Sequence, residues 1–228
     1  KQLFYNEKLL ETTAKILKKI NPNQIILDRT IFYPEMGGQK SDRGKIDDSD
    51  VIDVQIFDGV IVHYLDKPIN KKEGEVLRRQ HTATHILNQA CRRILGGFVN
   101  QAGAEKDIDR SHLDITYFDK LNQDQIKQIE YEINRIVTQD LKIETEILPK
   151  DIAEKRYGMY IYQGGSVPSS EIRIIKIGDY DVEACGGLHC KSTGEVGFIK
   201  IFNTERIQDG VIRIEFSAFP NSLKYIND

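Results

Sequence analysis

Over roughly the first 70 residues, apolar and polar positions change in short runs with a period near two. Residues 51–57, V-I-D-V-Q-I-F, alternate as a half-buried strand does, and 24–29 (Q-I-I-L-D-R) and 60–65 (V-I-V-H-Y-L) are strand-like apolar runs. Asp58-Gly59 between two of these runs is a strong hairpin signal, and Asn21-Pro22-Asn23 marks another turn. Residues 5–20 have the composition of a helix but strand-like neighbours. Several short strands joined by turns predict a small β-barrel. The polar, turn-prone stretch 68–74, P-I-N-K-K-E-G, then predicts a boundary between an N-terminal domain over 1–72 and a second over 73–228.

After that boundary the period lengthens. Residues 75–95 predict a helix that stops at Gly96-Gly97. Residues 122–140 predict another, with Ile126, Ile129, Ile133, Ile136 and Val137 on one face, Asn122 as its cap and Gln125 completing a capping box. Strands are expected at 98–101, 112–118, 142–148, 171–177, 196–202 and 211–216. The chain therefore reads as α+β: a small barrel followed by a mixed α/β domain.

Composition narrows the function classes. The 228 residues are 39% hydrophobic and 29% charged, as in a soluble globular protein, and can bury a sizeable core without cross-links. The first residues, K-Q-L-F-Y-N-E-K, lack the pattern of a secretory signal, and no apolar run approaches the ~18 residues of a membrane span. Three cysteines do not make a disulfide framework, which points to a reducing, cytoplasmic setting. A net charge of −3 gives no global attraction for nucleic acid, so phosphate binding would need a local patch. Lys71 with Lys72, Arg78 with Arg79, and Arg92 with Arg93 are candidates, against the plainer reading of a solvated surface.

Two short motifs carry chemistry. Residues 183–190 read E-A-C-G-G-L-H-C, and residues 81–85, inside the first predicted helix, read H-T-A-T-H. Side chains four apart on a helix share a face, so His81 and His85 can chelate one ion. Alone, such a pair is more often coincidence. Cys185 and His189 repeat the spacing, and together the four donors make a mixed Cys/His set suited to zinc. The plainer alternative is a core cysteine beside a satisfied histidine. Gly186-Gly187 let the backbone turn tightly between the ligands. Cys190 would point away from His189 in an extended segment and is assigned to packing. His63 and His112 have no partner at ligand spacing.

H-T-A-T-H followed at a distance by C-G-G-L-H resembles the editing domain of alanyl-tRNA synthetase and its free-standing relatives, the alanyl-tRNA editing (AlaX) proteins. F-Y-P-E-M-G-G-Q-K-S-D-R-G at 32–44, G-E-V-G at 194–197 and G-V-I-R-I-E at 210–215 are also similar to that family's patterns, so the likeness runs from about residue 4 to residue 217. With no room for an aminoacylation domain, the chain looks like the medium-length free-standing type. Two departures stand out: Leu188 where the family usually has Thr, and Cys190 where an apolar residue is more usual. Leu188 puts any role for a hydroxyl there in doubt.

The resemblance implies trans-editing: hydrolysis of mischarged tRNA(Ala), chiefly Ser-tRNA(Ala) and also Gly-tRNA(Ala), with Zn2+ and no nucleotide cofactor. It implies Gln101 and the Gly37-Gly38 segment as substrate contacts. A site that hydrogen-bonds the serine hydroxyl rejects alanine because its polar groups would otherwise stay unpaired. A water activated by the metal is the assumed nucleophile, which needs an open coordination position; with four protein ligands the metal would instead anchor the substrate or order the pocket. No general base stands out. The partner is the acceptor end of tRNA(Ala), not DNA or a membrane, with Arg92 and Arg93 expected on its phosphates. The rivals are a threonyl-type editing domain and a non-catalytic zinc module that binds tRNA or a synthetase.

Overall fold

The computed structural model describes residues 1–226 other than 7, 8, 10, 22, 47, 48, 66–70 and 164–168. The chain folds as two compact units, Lys1–Glu75 and Val76–Asp228. The expected boundary stretch at 68–74 and the turn at Pro22 fall partly outside the described residues.

The first unit is one antiparallel sheet of five strands: β1 (Ile16–Asn21), β2 (Gln24–Leu27), β3 (Gly44–Ile46), β4 (Ser49–Phe57) and β5 (Val60–Leu65). Their order is β1-β2-β5-β4-β3. Both edge strands are open among the described residues, so the expected barrel is a curled half-barrel. The expected alternation in 51–57 is interrupted by a register shift between Val51 and Asp53, so Val51 and Val54, three positions apart, are both buried with Phe32. Asp58 and Gly59 both take positive φ, 48° and 78°, as a type I′ hairpin turn requires. Residues 5–20 hold only the strand that starts at Ile16, with no helix among their described residues. His63 is fully buried, with Nε2 2.7 Å from Thr30 Oγ1.

The long helix α1 (Lys71–Leu95) begins at the end of the first unit and continues into the second, where β6 (Gln101–Glu105), β7 (Ser111–Thr116) and α2 (Gln123–Thr138) follow. Then come β8 (Ile143–Pro149), α3 (Lys150–Tyr157), β9 (Glu171–Ile177), β10 (Asp181–Ala184), β11 (Ile199–Gln208) and β12 (Val211–Ala218). Two antiparallel sheets result, ordered β11-β12-β7-β6 and β10-β9-β8. One core holds Ile86, Leu87 and Ala90 of α1 and Ile129, Ile133 and Ile136 of α2 together with Leu113, Ile115, Ile214 and Phe216 of the larger sheet. Asn122 and Gln125 form the expected reciprocal cap. A smaller cluster seats Ala153 of α3 against Ile172 and Ile174 of β9. The strand expected at 98–101 begins only at Gln101, because Phe98 lies within a turn that the Val99 N–H closes on the Gly96 carbonyl at 3.1 Å. The elements β3, α3 and β10 are short and had no clear periodicity. No helix among the described residues is long and apolar enough to cross a membrane.

Candidate metal centre

Helix α1 buries polar residues along much of its length, including Gln80, His81, Thr82, His85 and Asn88. His81, His85, Asn88 and Arg92 recur at i, i+4, i+7 and i+11, so they form one stripe on the helix. Strand β10 and the residue after it offer a matching row. Asp181, Glu183 and Cys185 share one face, alternating with Val182 and Ala184, which pack against the smaller hydrophobic cluster. The two rows meet: Asn88 Nδ2 donates to Glu183 Oε1 at 2.6 Å, and His85 Nδ1 lies 2.8 Å from Glu183 Oε2 and 3.7 Å from Asp181 Oδ2.

The donor atoms of His81, His85, Cys185 and His189 converge within 4.8 Å of one another, and all four residues are buried. Cys185 Sγ is 3.3 Å from His81 Nε2 and 3.4 Å from His189 Nε2. A tetrahedral ion with bonds of about 2.0–2.3 Å holds its donors roughly 3.4 Å apart, so these spacings fit one ion at the centre. His85 adds an independent sign. Its Nδ1 faces the Glu183 carboxylate 2.8 Å away, while its buried Nε2 has no hydrogen-bond partner, as suits a nitrogen that binds a metal.

Electrostatics favours the ligating protonation state at His81, His189 and Cys185 and the protonated ring at His85. Burial pushes the His81 and His189 pKa values well below the ordinary imidazole value, which leaves neutral rings. Burial opposes charge on Cys185 and on His85 as well. There the attraction between the two, with Glu183 beside His85, outweighs it, lowering the thiol pKa and raising that of His85. A divalent metal binds a thiolate and neutral imidazoles, so the raised pKa of His85 means that this ring carries a proton which metal binding displaces. The Gly187 N–H also points at Cys185 Sγ, 3.4 Å away.

Surrounding groups fix the four candidate ligands. Thr82 Oγ1 lies 3.3 Å from His189 Nδ1 and accepts the Cys190 N–H at 3.0 Å. Arg173 Nη1 donates to the carbonyls of Cys185 and Gly187 at 2.8 and 2.7 Å, holding the ligand loop in shape. Gly187 is glycine by necessity, since a Cβ there would lie 1.8 Å from His81 Cε1. Cys190 belongs to the hydrophobic core, where burial raises its thiol pKa to about 11. Leu188 is buried beside the ligands in sequence, with no hydroxyl to offer.

Gln101 opens β6, and its buried Oε1 has no hydrogen-bond partner. Gly37 and Gly38, at φ 59° and 71°, are the tip of a two-residue turn closed by Met36 and Gln39 in the first unit. Arg92 is half-buried: its Nε donates to the Val99 carbonyl at 3.2 Å, and its charge acts on Asp181 and Glu183. Arg93 lies over the Tyr180 ring, 4.2 Å from its centroid, and donates to the Tyr180 carbonyl. Sequence reading missed Glu183, Asp181, Asn88 and Thr82. The D-V-E-A-C alternation and the seven-residue step from His81 to Asn88 were the signals that could have found them.

An α+β chain with a buried three-histidine, one-cysteine centre is the class this architecture defines. Residues 172–215, which contain Cys185 and His189, match the family described as threonyl and alanyl tRNA synthetase second additional domain. Residues 3–84 match tRNA synthetases class II (A). The alanine–tRNA ligase of Caldivirga maquilingensis is 44% identical over 100% of this chain and 28% of its own length. That of Methanosarcina barkeri is 44% identical over 96% of this chain and 26% of its own. That of Methanococcus maripaludis strain C7 is 42% identical over 95% and 26%. The chain is thus similar along its whole length to one segment of alanine–tRNA ligases, and it spans about a quarter of the length of these curated relatives.

Proposed function

We propose that this chain is an aminoacyl-tRNA deacylase that edits mischarged tRNA(Ala) in trans, chiefly Ser-tRNA(Ala) and also Gly-tRNA(Ala), with Zn2+ as its metal. The observation that carries the reading is a four-donor centre lying inside a chain that aligns throughout with a segment of alanine–tRNA ligases. The donor set, three imidazoles and a thiolate, is one that zinc favours. When bound, the ion supplies Lewis acidity for ester hydrolysis.

The chain's own groups do the rest. Glu183 and Thr82 orient His85 and His189, and Arg173 holds the loop that carries the thiolate. Gln101, with its unsatisfied buried oxygen, is the proposed acceptor for the serine hydroxyl, and a partner left unpaired by alanine is the physical basis of selectivity. Gly37 and Gly38 are the proposed second substrate contact, through backbone groups. Arg93, together with the half-buried Arg92, is the proposed contact to acceptor-stem phosphates. A cytoplasmic location goes with this role.

The test uses the isolated chain, zinc-loaded or chelator-treated, with Ser-, Gly- and Ala-tRNA(Ala) and with Ser-tRNA(Thr). Ser-tRNA(Ala) should be cleaved fastest and Ala-tRNA(Ala) spared, with activity abolished by chelation and by Cys185→Ala. No cleavage above buffer would make the chain a non-catalytic zinc module. Preference for Ser-tRNA(Thr) would make it threonyl-type, and equal cleavage of Ala-tRNA(Ala) would end the proofreading role.

A further inference from the structure

Strand β6 contains an irregularity that changes which of its side chains face the core. Gln101 pairs with Ile115, Gly103 with Asp114, Ala104 with Leu113 and Glu105 with His112, with a bulge between Gln101 and Gly103. Residues directly opposed in an antiparallel pair share a face of the sheet. Ile115 and Leu113 are fully buried in the core, so Gln101 and Ala104 face inward with them. Lys106, two positions beyond Ala104, follows onto that face and is only 2% exposed. Without the bulge, residues five apart would point to opposite faces. The inserted residue therefore brings Gln101 and Lys106 to one side.

The next turn fastens this end of β6 to the ligands. Gln80, adjacent to His81 on α1, donates through Nε2 to the Ile108 carbonyl at 3.1 Å and to Ser217 Oγ at 3.2 Å. Burial lowers the Lys106 pKa and the negative charges of Cys185 and Glu183 act against that, while the Lys106 charge in turn acts on His81 and His189. Lysine is almost never fully buried for packing alone, because desolvating an ammonium is costly.

We propose that Lys106 is a catalytic residue of the deacylation, its ammonium stabilising the negative charge that develops on the ester carbonyl oxygen. This rests on the deacylase reading above. Water adds to the carbonyl carbon and the carbonyl π pair moves onto oxygen, facing Lys106. The pair returns as the C–O bond to the ribose breaks. One proton of the attacking water ends on the ribose hydroxyl, and the other leaves with the amino acid's carboxyl group to solvent. A fixed donor aimed at the developing oxyanion acts on the transition state more than on the ground state.

Lys106→Met removes the charge at similar length. Metal content and binding of uncharged tRNA(Ala) should match the parent, while single-turnover cleavage of Ser-tRNA(Ala) falls about 100- to 1000-fold. Lys106→Arg should recover part of the rate. Should Met unfold the chain, Lys106→Gln takes its place, with the same rate loss and retained metal expected. Parent-like cleavage by the neutral variant overturns the proposal. So does loss of metal, which would make Lys106 a counterion of the thiolate. A parent that cleaves nothing overturns the deacylase reading and this one together, whereas an active parent with an equally active variant overturns this one alone.

Discussion

Helix α2 buries Ile129, Ile133 and Ile136 and turns its other face to solvent, whereas α1 buries Gln80, His81, Thr82, Thr84, His85 and Asn88. Both helices contribute to the same core. For α2 the inward stripe is apolar, and transfer of that surface from water stabilises the unit directly. For α1 the inward polar stripe costs desolvation unless each group finds a partner. Thr84 bonds the Gln80 carbonyl, Gln80 reaches Ile108 and Ser217, and Asn88 reaches Glu183. One helix is built to stabilise and the other to position donors.

The sharpest way to break this contrast is at the centre itself. Cys185→Ser should lose the metal and all deacylation, whereas Cys190→Ser, in the core, should keep both; metal analysis of the purified variants reads this directly. Gly187→Ala should come next, because its Cβ must displace the His81 ring; loss of bound metal with an otherwise native far-UV spectrum is expected. On α2, Ile133→Ala should cost about 2–5 kcal/mol of stability in denaturant unfolding, while the folded fraction keeps its full metal content. A matching loss of metal per folded chain would show that the two helices are not separable in this way. Glu183→Gln should weaken metal affinity by about 10- to 100-fold in chelator competition, since His85 loses the carboxylate that orients it. The smallest effect is expected for Asn122→Ala, about 1 kcal/mol, visible as a lower Tm with unchanged metal affinity.

The same contrast explains how much was legible. The apolar stripe of α2, its cap and the Asp58-Gly59 hairpin follow local rules and were readable from spacing. So were His81, His85, Cys185 and His189, because two i,i+4 pairs of soft donors are rare enough to find each other. The supporting groups were not. Glu183 looks like an ordinary strand carboxylate until β10 lies against α1, and Asn88 looks like a surface amide until its helix is buried. Nor did spacing show that the Arg92 guanidinium bonds the Val99 carbonyl and that its charge acts on Asp181 and Glu183.

By itself the sequence determined the order of most strands and helices, the hydrophobic face of α2 and the identity of the four candidate ligands, because these depend on periodicity and on side-chain chemistry at short range. Only the tertiary structure decided that the first sheet stays an open half-barrel, that Glu183 backs His85 and that a one-residue bulge turns Lys106 inward. Those outcomes depend on pairing register and on contacts between segments as much as 100 residues apart, and a shift of one position there exchanges the buried and exposed faces of a strand.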